Sequence, residues 1–141
     1  MSETASIGRI ALAILLSGFV SSLTDWLFAG VMFHSKYMAH PEIWRRTPGA
    51  NMKGENQAVA WSTLLGFVTC AAFVCTCLAF QVRGYTAALE LAAAIWVMAP
   101  LPLLIVNALF IKMHPLTVAS LSLGWLAKLL LAGAAVGWLL S

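Results

Sequence analysis

The sequence predicts an all-α fold: a membrane-embedded antiparallel four-helix bundle with one interfacial loop or helix between the first and second helices. Three observations predict it. The 141-residue chain is 62% hydrophobic and 9% charged, whereas soluble domains carry about 45–50% apolar and about 25% charged residues. Its mean hydropathy is +0.91. The apolar residues also gather in four stretches without period-two alternation, Ile7–Phe33, Gln57–Val82, Tyr85–Ile111 and Pro115–Leu140. Each stretch, at roughly 26 residues and 1.5 Å per residue, makes a helix of about 39 Å, enough to cross a bilayer core of about 30 Å with some tilt. Lipid leaves helices and closed barrels as the spanning structures, and the absence of alternation selects helices. One domain over residues 1–141 accounts for the whole chain. Disorder, a disulfide-rich secreted scaffold and a soluble nucleic-acid binder are excluded.

The first stretch is too long for the apolar core of a secretory signal and ends without a small-residue cleavage pattern, so it is expected to stay in the mature protein. It carries small residues, Ser17, Gly18, Ser21 and Ser22, and one acid, Asp25. The segment His34–Asn56 is the one long connection, and its prolines at 41 and 48 and glycines at 49 and 54 break it into pieces. Its mixture of basic and apolar residues predicts a short interfacial helix around Pro41–Arg46, lying at the headgroups.

The second stretch holds all three cysteines, Cys70, Cys75 and Cys77. Their spacing matches neither a redox pair nor a zinc motif, and the reading is three small buried apolar side chains. Arg83-Gly84 joins it to the third stretch, and Lys112-Met113-His114 joins the third to the fourth; turns this tight predict antiparallel neighbours. The third stretch carries Glu90 and a run of alanines. Pro100 and Pro102 delete backbone donors there, so a kink is expected beside Lys128. The fourth holds Lys128 and Gly133-Ala-Ala-Val-Gly137, a G-x-x-x-G that admits close approach of another helix, within the bundle or from a second subunit. Trp44, Trp61 and Trp138 suit interfacial belts, while Trp26, Trp96 and Trp125 are expected to pack inside.

The net charge of +3 reads as membrane orientation and not as a nucleic-acid footprint. Lys36, Arg45, Arg46, Lys53 and Lys112 fall on one side, and Arg9 and Arg83 on the other. That bias predicts a cytoplasmic long loop with both termini outside.

Charges inside spans cost about 2.5–3.5 kcal/mol on insertion scales, so each requires a partner or a wet cavity. Asp25 lies about 12 Å from the loop-side end of its helix and Lys128 about 20 Å from the same end of another. Side chains lean toward the N-terminus of their own helix, so the two lean toward each other and can pair. Glu90 is expected near the depth of Arg9. Thr24, Asn107, His34 and His114 gather near the loop-side end and can line a polar cavity with Asp25. The ligand or ion candidates are therefore Asp25, Lys128, Asn107, His34 and Glu90, with Gly133 and Gly137 for helix packing. His34, His40, Asp25 and Glu42 lack the spacing of a metal motif, no nucleophile, phosphate-loop or zincin pattern occurs, and no cofactor is expected.

The second half, from Ala92 to Leu140, resembles a bacterial family of small four-helix membrane proteins known only as a domain of unknown function. The resemblance rests on Trp96 ahead of a proline-bearing kink, Asn107 with Phe110, and Gly124, Gly133 and Trp138. In the first half, Trp26, Met32-Phe33, Lys36 and Tyr37-Met38 are similar to the family's pattern at the end of helix one. A proline expected soon after Trp26 is absent, and His34-Ser35 replaces a glycine step. The resemblance implies a fold and an inner-membrane location, and no activity. The membrane-bound glutathione and eicosanoid enzymes fit less well, because their R-x-x-x-N-x-x-E pattern in helix two is missing. Three functions compete: a bundle that binds or passes a small amphipathic molecule or ion, an accessory or structural subunit of a larger membrane complex or homo-oligomer, and a membrane enzyme acting on a lipophilic substrate. The bilayer is the partner common to all three.

Overall fold

A computed structural model describes residues 3–39, 52–111 and 113–140. The described residues are all-α. Helix α1 spans Glu3–Trp26 and continues as a π-helical segment, Leu27–Met32; α2 is the short helix His34–Met38. Then follow α3 (Met52–Ala79), α4 (Tyr85–Met98), α5 (Pro100–Phe110) and α6 (Pro115–Leu139). Four lengths of helix, Ile7–Met32, Asn56–Ala79, Tyr85–Phe110 and Pro115–Leu139, are long and apolar enough to cross a membrane. The helix expected around Pro41–Arg46 lies outside the described residues.

Helix α6 is the hub. It packs on α1, α3, α4 and α5, and α1 also packs on α3. Helices α3 and α4 follow each other through a tight turn, with Gln81 at φ 54° and Gly84 at φ 84°, yet they share little contact. This corrects the expectation that the short connection makes them packed neighbours: the turn sets direction, while α6 offers both a better surface. Val82 N–H donates to the Cys77 carbonyl at 2.8 Å, which closes the end of α3.

Small residues decide where helices meet. In the α6/α4 seam, a Cβ on Gly133 would stand 3.0 Å from the Ala88 carbonyl oxygen, and one on Gly137 would stand 2.8 Å from the Tyr85 Cα. The G-x-x-x-G therefore works inside the bundle, in the close approach that small residues permit. In the α1/α3 seam the Phe67 ring lies against Gly18, and the Ser21 hydroxyl meets the Cys70 sulfur at 3.6 Å. Ser17 and Ser21 are buried and donate back to the carbonyls of Ala13 and Ser17, at 2.6 and 2.7 Å. Such back-bonding is how a hydroxyl is satisfied within its own helix. The core joins Ala13, Cys70, Phe73, Val74, Cys77, Ala88, Ala92, Leu129, Ala132, Ala135 and Val136.

The outside is apolar. Leu12, Leu15, Phe19, Leu23, Leu64, Leu65 and Val68 are among many large hydrophobics exposed on the helices, far more than the scattered patches of soluble monomers. Two expectations about side chains change. Cys75 is exposed, and only Cys70 and Cys77 are buried. Trp26 and Trp125, expected to pack inside, are exposed; Trp26 is 65% exposed, its indole lying over Gly30 of the π segment.

Candidate functional site

The ion pair of Lys128 and Asp25 joins α6 to α1, with Nζ 2.8 Å from Oδ2. The packing of α6 and α1 explains the meeting. They run antiparallel, so Asp25 near the end of the regular α1 turns comes level with the middle of α6. Glycines make the room: Gly124, one turn before Lys128, sits where a Cβ would be 3.4 Å from Asp25 Oδ1, and Gly66 of α3 where one would be 3.6 Å from Lys128 Nζ. The ammonium also lies 5.5 Å from the centre of the Trp125 ring, within cation–π range. The two ends differ in access, since the lysine side chain is 11% exposed and the aspartate 39%.

The α1 helix changes character two residues past Asp25, at Leu27. Phe33 N–H donates to the Phe28 carbonyl at 2.9 Å, the i→i−5 bond of a π-helix, a form that recurs at functional sites. Nothing in the sequence announced it, because Leu27–Met32 contains no proline. The one trace is Gly30, which leaves space for the Trp26 indole.

Helix α6 presents a small and polar lane toward the same region. Thr117, Ser120, Gly124 and Lys128 recur at helical spacing along one side; Ser120 and Gly124 are buried, and α6 packs against the π segment. Thr117 Oγ1 is buried without a hydrogen-bond partner among the described residues, an uncommon state for a buried hydroxyl. Sequence reasoning missed Thr117 and Ser120, and the i, i+3, i+7 spacing of small polar residues leading to Lys128 was the signal available.

Other expected members do not converge on Asp25. Thr24 donates to the Ser21 carbonyl at 2.8 Å. His114 caps α6, its Nδ1 accepting from Leu116 N–H at 3.2 Å. His34 is exposed at the start of α2, and Asn107 is half-buried on α5. Among the described residues, Asp25 bonds Lys128 and no other side chain. His40 and Glu42 lie outside the described residues, and no group of three His, Cys, Asp or Glu suited to a metal gathers among the described ones.

The kink is present but faces away from the pair. Helix α4 stops at Met98, Ala99 takes φ −128° and ψ −71°, and α5 restarts with Pro100 at its first position, where a missing N–H is tolerated. Trp96 Nε1 donates to the Ser122 carbonyl at 2.9 Å and pins the break to α6 well before Lys128. Lys128 lies nine residues before Gly137, two and a half turns, so it turns its back on the α4 seam. No family model, curated protein or solved structure matches this chain.

Glu90 is also displaced from its expected depth. Tyr85 shares a lipid-facing groove of about 230 Å³ with Leu16, Ser17, Val20, Leu131, Ala134, Ala135 and Trp138, so α4 begins level with Leu16 and not with Arg9. Arg9 lies two turns earlier and Glu90 more than one turn later, about 18 Å apart along the bundle. The late start of α4 is the cause. The groove is walled by α1 and α4 and floored by α6, and its lining is almost wholly apolar.

Proposed function

We propose that this chain is a small multi-pass protein of the bacterial inner membrane that binds or passes a small amphipathic molecule or ion at the Asp25/Lys128 pair. The observation that carries the reading is the half-open carboxylate of Asp25, bonded to a buried lysine two residues before a π-helical segment. An intramembrane ion pair built only to fix helix order has no need for an accessible end. Thr117, Ser120 and Gly124 line one side of α6 from its loop-side end toward Lys128, and the Thr117 hydroxyl supplies a contact point among them. A cationic headgroup competes with Lys128 for Asp25, and an anionic one competes with Asp25 for Lys128. The resemblance to small four-helix bacterial membrane proteins and the excess of basic residues in and near the long connection support the location, with that connection cytoplasmic and both termini outside.

The test is a titration of the protein in lipid nanodiscs with a single-chain alkylamine and, separately, the matching fatty acid, read by tryptophan fluorescence through Trp125. One of the two is expected to give a saturable change; Asp25→Asn is expected to weaken the alkylamine about tenfold, the size of one hydrogen bond to a charged group, or, if the fatty acid is the ligand, to tighten it by removing the carboxylate that competes for Lys128. No saturable change with either probe, or an unaltered one in Asp25→Asn, overturns the reading. A second reading, an accessory subunit of a larger membrane complex, is favoured by one observation of its own: Glu90 is exposed on α4 without a partner among the described residues.

A further inference from the structure

We infer that the apolar groove between α1, α4 and α6 holds one acyl chain of an anionic phospholipid from the leaflet on the side of the termini, with Arg9 and Arg83 taking its phosphate. The site is separate from the Asp25/Lys128 pair and stands whether or not a ligand enters there.

The groove has the width of a single hydrocarbon chain. Leu131, Ala134, Ala135 and Trp138 line its floor, and their spacing makes one stripe along α6. The stripe is about 10 Å long at 1.5 Å per residue. A volume of about 230 Å³ spread over that length leaves a slot roughly 5 Å across. A helix with its side chains is about 10–12 Å wide and does not enter such a slot. The lining holds no charged side chain, and its one serine, Ser17, is satisfied by the Ala13 carbonyl at 2.6 Å.

The groove runs along the bundle, as lipid chains do, and its two ends differ. Val20 and Leu131 stand at the deep end. At the other end, Trp138 is the last residue but one of α6 and Tyr85 is the first of α4. Both are exposed, as aromatic side chains are at a membrane interface. The Tyr85 ring lies against Gly137, so the glycine that lets α4 approach α6 also sets one wall of the groove.

Two cations stand beyond this outer end. Arg9 precedes Leu16 by seven residues and Val20 by eleven, which places the three within about 20° of one line along α1. Arg9 therefore shares the α1 face that walls the groove, about 10 Å further out than Leu16, and leans toward the helix N-terminus and the headgroups. Arg83 lies in the turn two residues before Tyr85. Both arginines are exposed, and among the described residues neither has an ion-pair or hydrogen-bond partner. Glu90 follows Tyr85 by five residues, so it is turned about 140° round α4 from the groove wall.

Charge selects the occupant. A lipid phosphate satisfies guanidinium groups directly, and arginine is the side chain best suited to it. A zwitterionic lipid brings a cation of its own toward the same arginines. A second copy seated on the groove about a twofold axis would gather four arginines at one place. An anionic phospholipid fills the slot and supplies the missing negative charge.

The experiment places the full chain in phosphatidylcholine vesicles with rising fractions of phosphatidylglycerol brominated in the upper part of its chains, a quencher of nearby indoles. The Trp138 signal is the difference between each protein and its Trp138→Phe counterpart. Quenching of Trp138 is expected to saturate at low fractions of the anionic lipid and to need far more brominated phosphatidylcholine. Arg9→Gln and Arg83→Gln are each expected to lower this preference about fivefold, the attraction of one basic residue for an anionic membrane. Ala134→Phe, which fills the slot, is expected to abolish it with both arginines in place. Equal quenching by the two lipids overturns the proposal, as does a preference that survives loss of both arginines. So does a preference that survives in folded Ala134→Phe, since arginines alone would then be gathering the lipid. Trp138 shielded from both lipids would put a second copy in the groove and would also overturn it. The arginine variants alter exposed side chains, so they decide the matter even if Ala134→Phe does not fold. The amphiphile titration above reads Trp125 beside the ion pair, and Asp25 lies five residues beyond Val20, so either result can fail while the other stands.

Discussion

Asp25 and Lys128 form an ion pair between α1 and α6, and each shields the charge of the other. Removing one partner of a buried pair typically costs about 3–5 kcal/mol, because the remaining charge is stranded. Asp25 is the more open of the two, so the lower end of that range applies. Asp25→Asn and Lys128→Met are each expected to lower the detergent melting temperature, and the double variant to recover part of the loss. A double variant as unstable as the sum of the singles would show that the charges act separately. The sequence allowed this pair to be read from depth and from the lean of side chains along antiparallel helices. It did not allow the neighbours to be read. Thr24 and His114 bond locally, the first to its own helix and the second as a cap, and short local bonds leave no trace in a depth count. The π turn that follows the pair needs about one extra residue per turn and no distinctive composition.

At the scale of elements, glycine placement governs which helices touch. Gly137 meets the backbone of Tyr85, whereas Gly8 has nothing within 4 Å of an added Cβ. Gly137→Ala is expected to destabilise the bundle by about 1–3 kcal/mol, the usual cost of overpacking a tight contact. Gly8→Ala, which gains helix propensity without a clash, is expected to be neutral or slightly stabilising. Thermal unfolding in a fixed detergent distinguishes them, and equal behaviour of the two variants would mean that the α4/α6 seam is loose. Span positions were legible from apolar length alone, as was the break at Pro100. Pairing was less so. The α3/α4 turn suggested adjacency, but chain proximity is weaker than a good packing surface, and α6 has small residues on opposite sides. The depth of Glu90 was misjudged for the same reason: counting from the start of each span assumes that all helices begin at one level, and α4 begins about two turns below Arg9.

Across the whole molecule, the sequence puts more positive charge in and near the long connection than beside the termini, and this bias is expected to set orientation. A single cysteine at Gly54 in a cysteine-free background is expected to resist an impermeant thiol reagent in intact cells and to react after lysis. Reaction in intact cells would reverse the assignment. The same bundle then offers two polar features: an ion pair between α1 and α6 with one open end, and an exposed acid on α4, Glu90, without a partner among the described residues. We propose that the first of these is an ion pair inside the membrane that a ligand can enter. Solid-state NMR of the protein in bilayers measures it most directly, through the dipolar coupling between Asp25 Cγ and Lys128 Nζ. The coupling is expected to be strong in the free protein and to fall when the alkylamine or fatty acid that alters Trp125 fluorescence is added. Absence of the coupling in bilayers, or a coupling that no amphiphile changes, would contradict it.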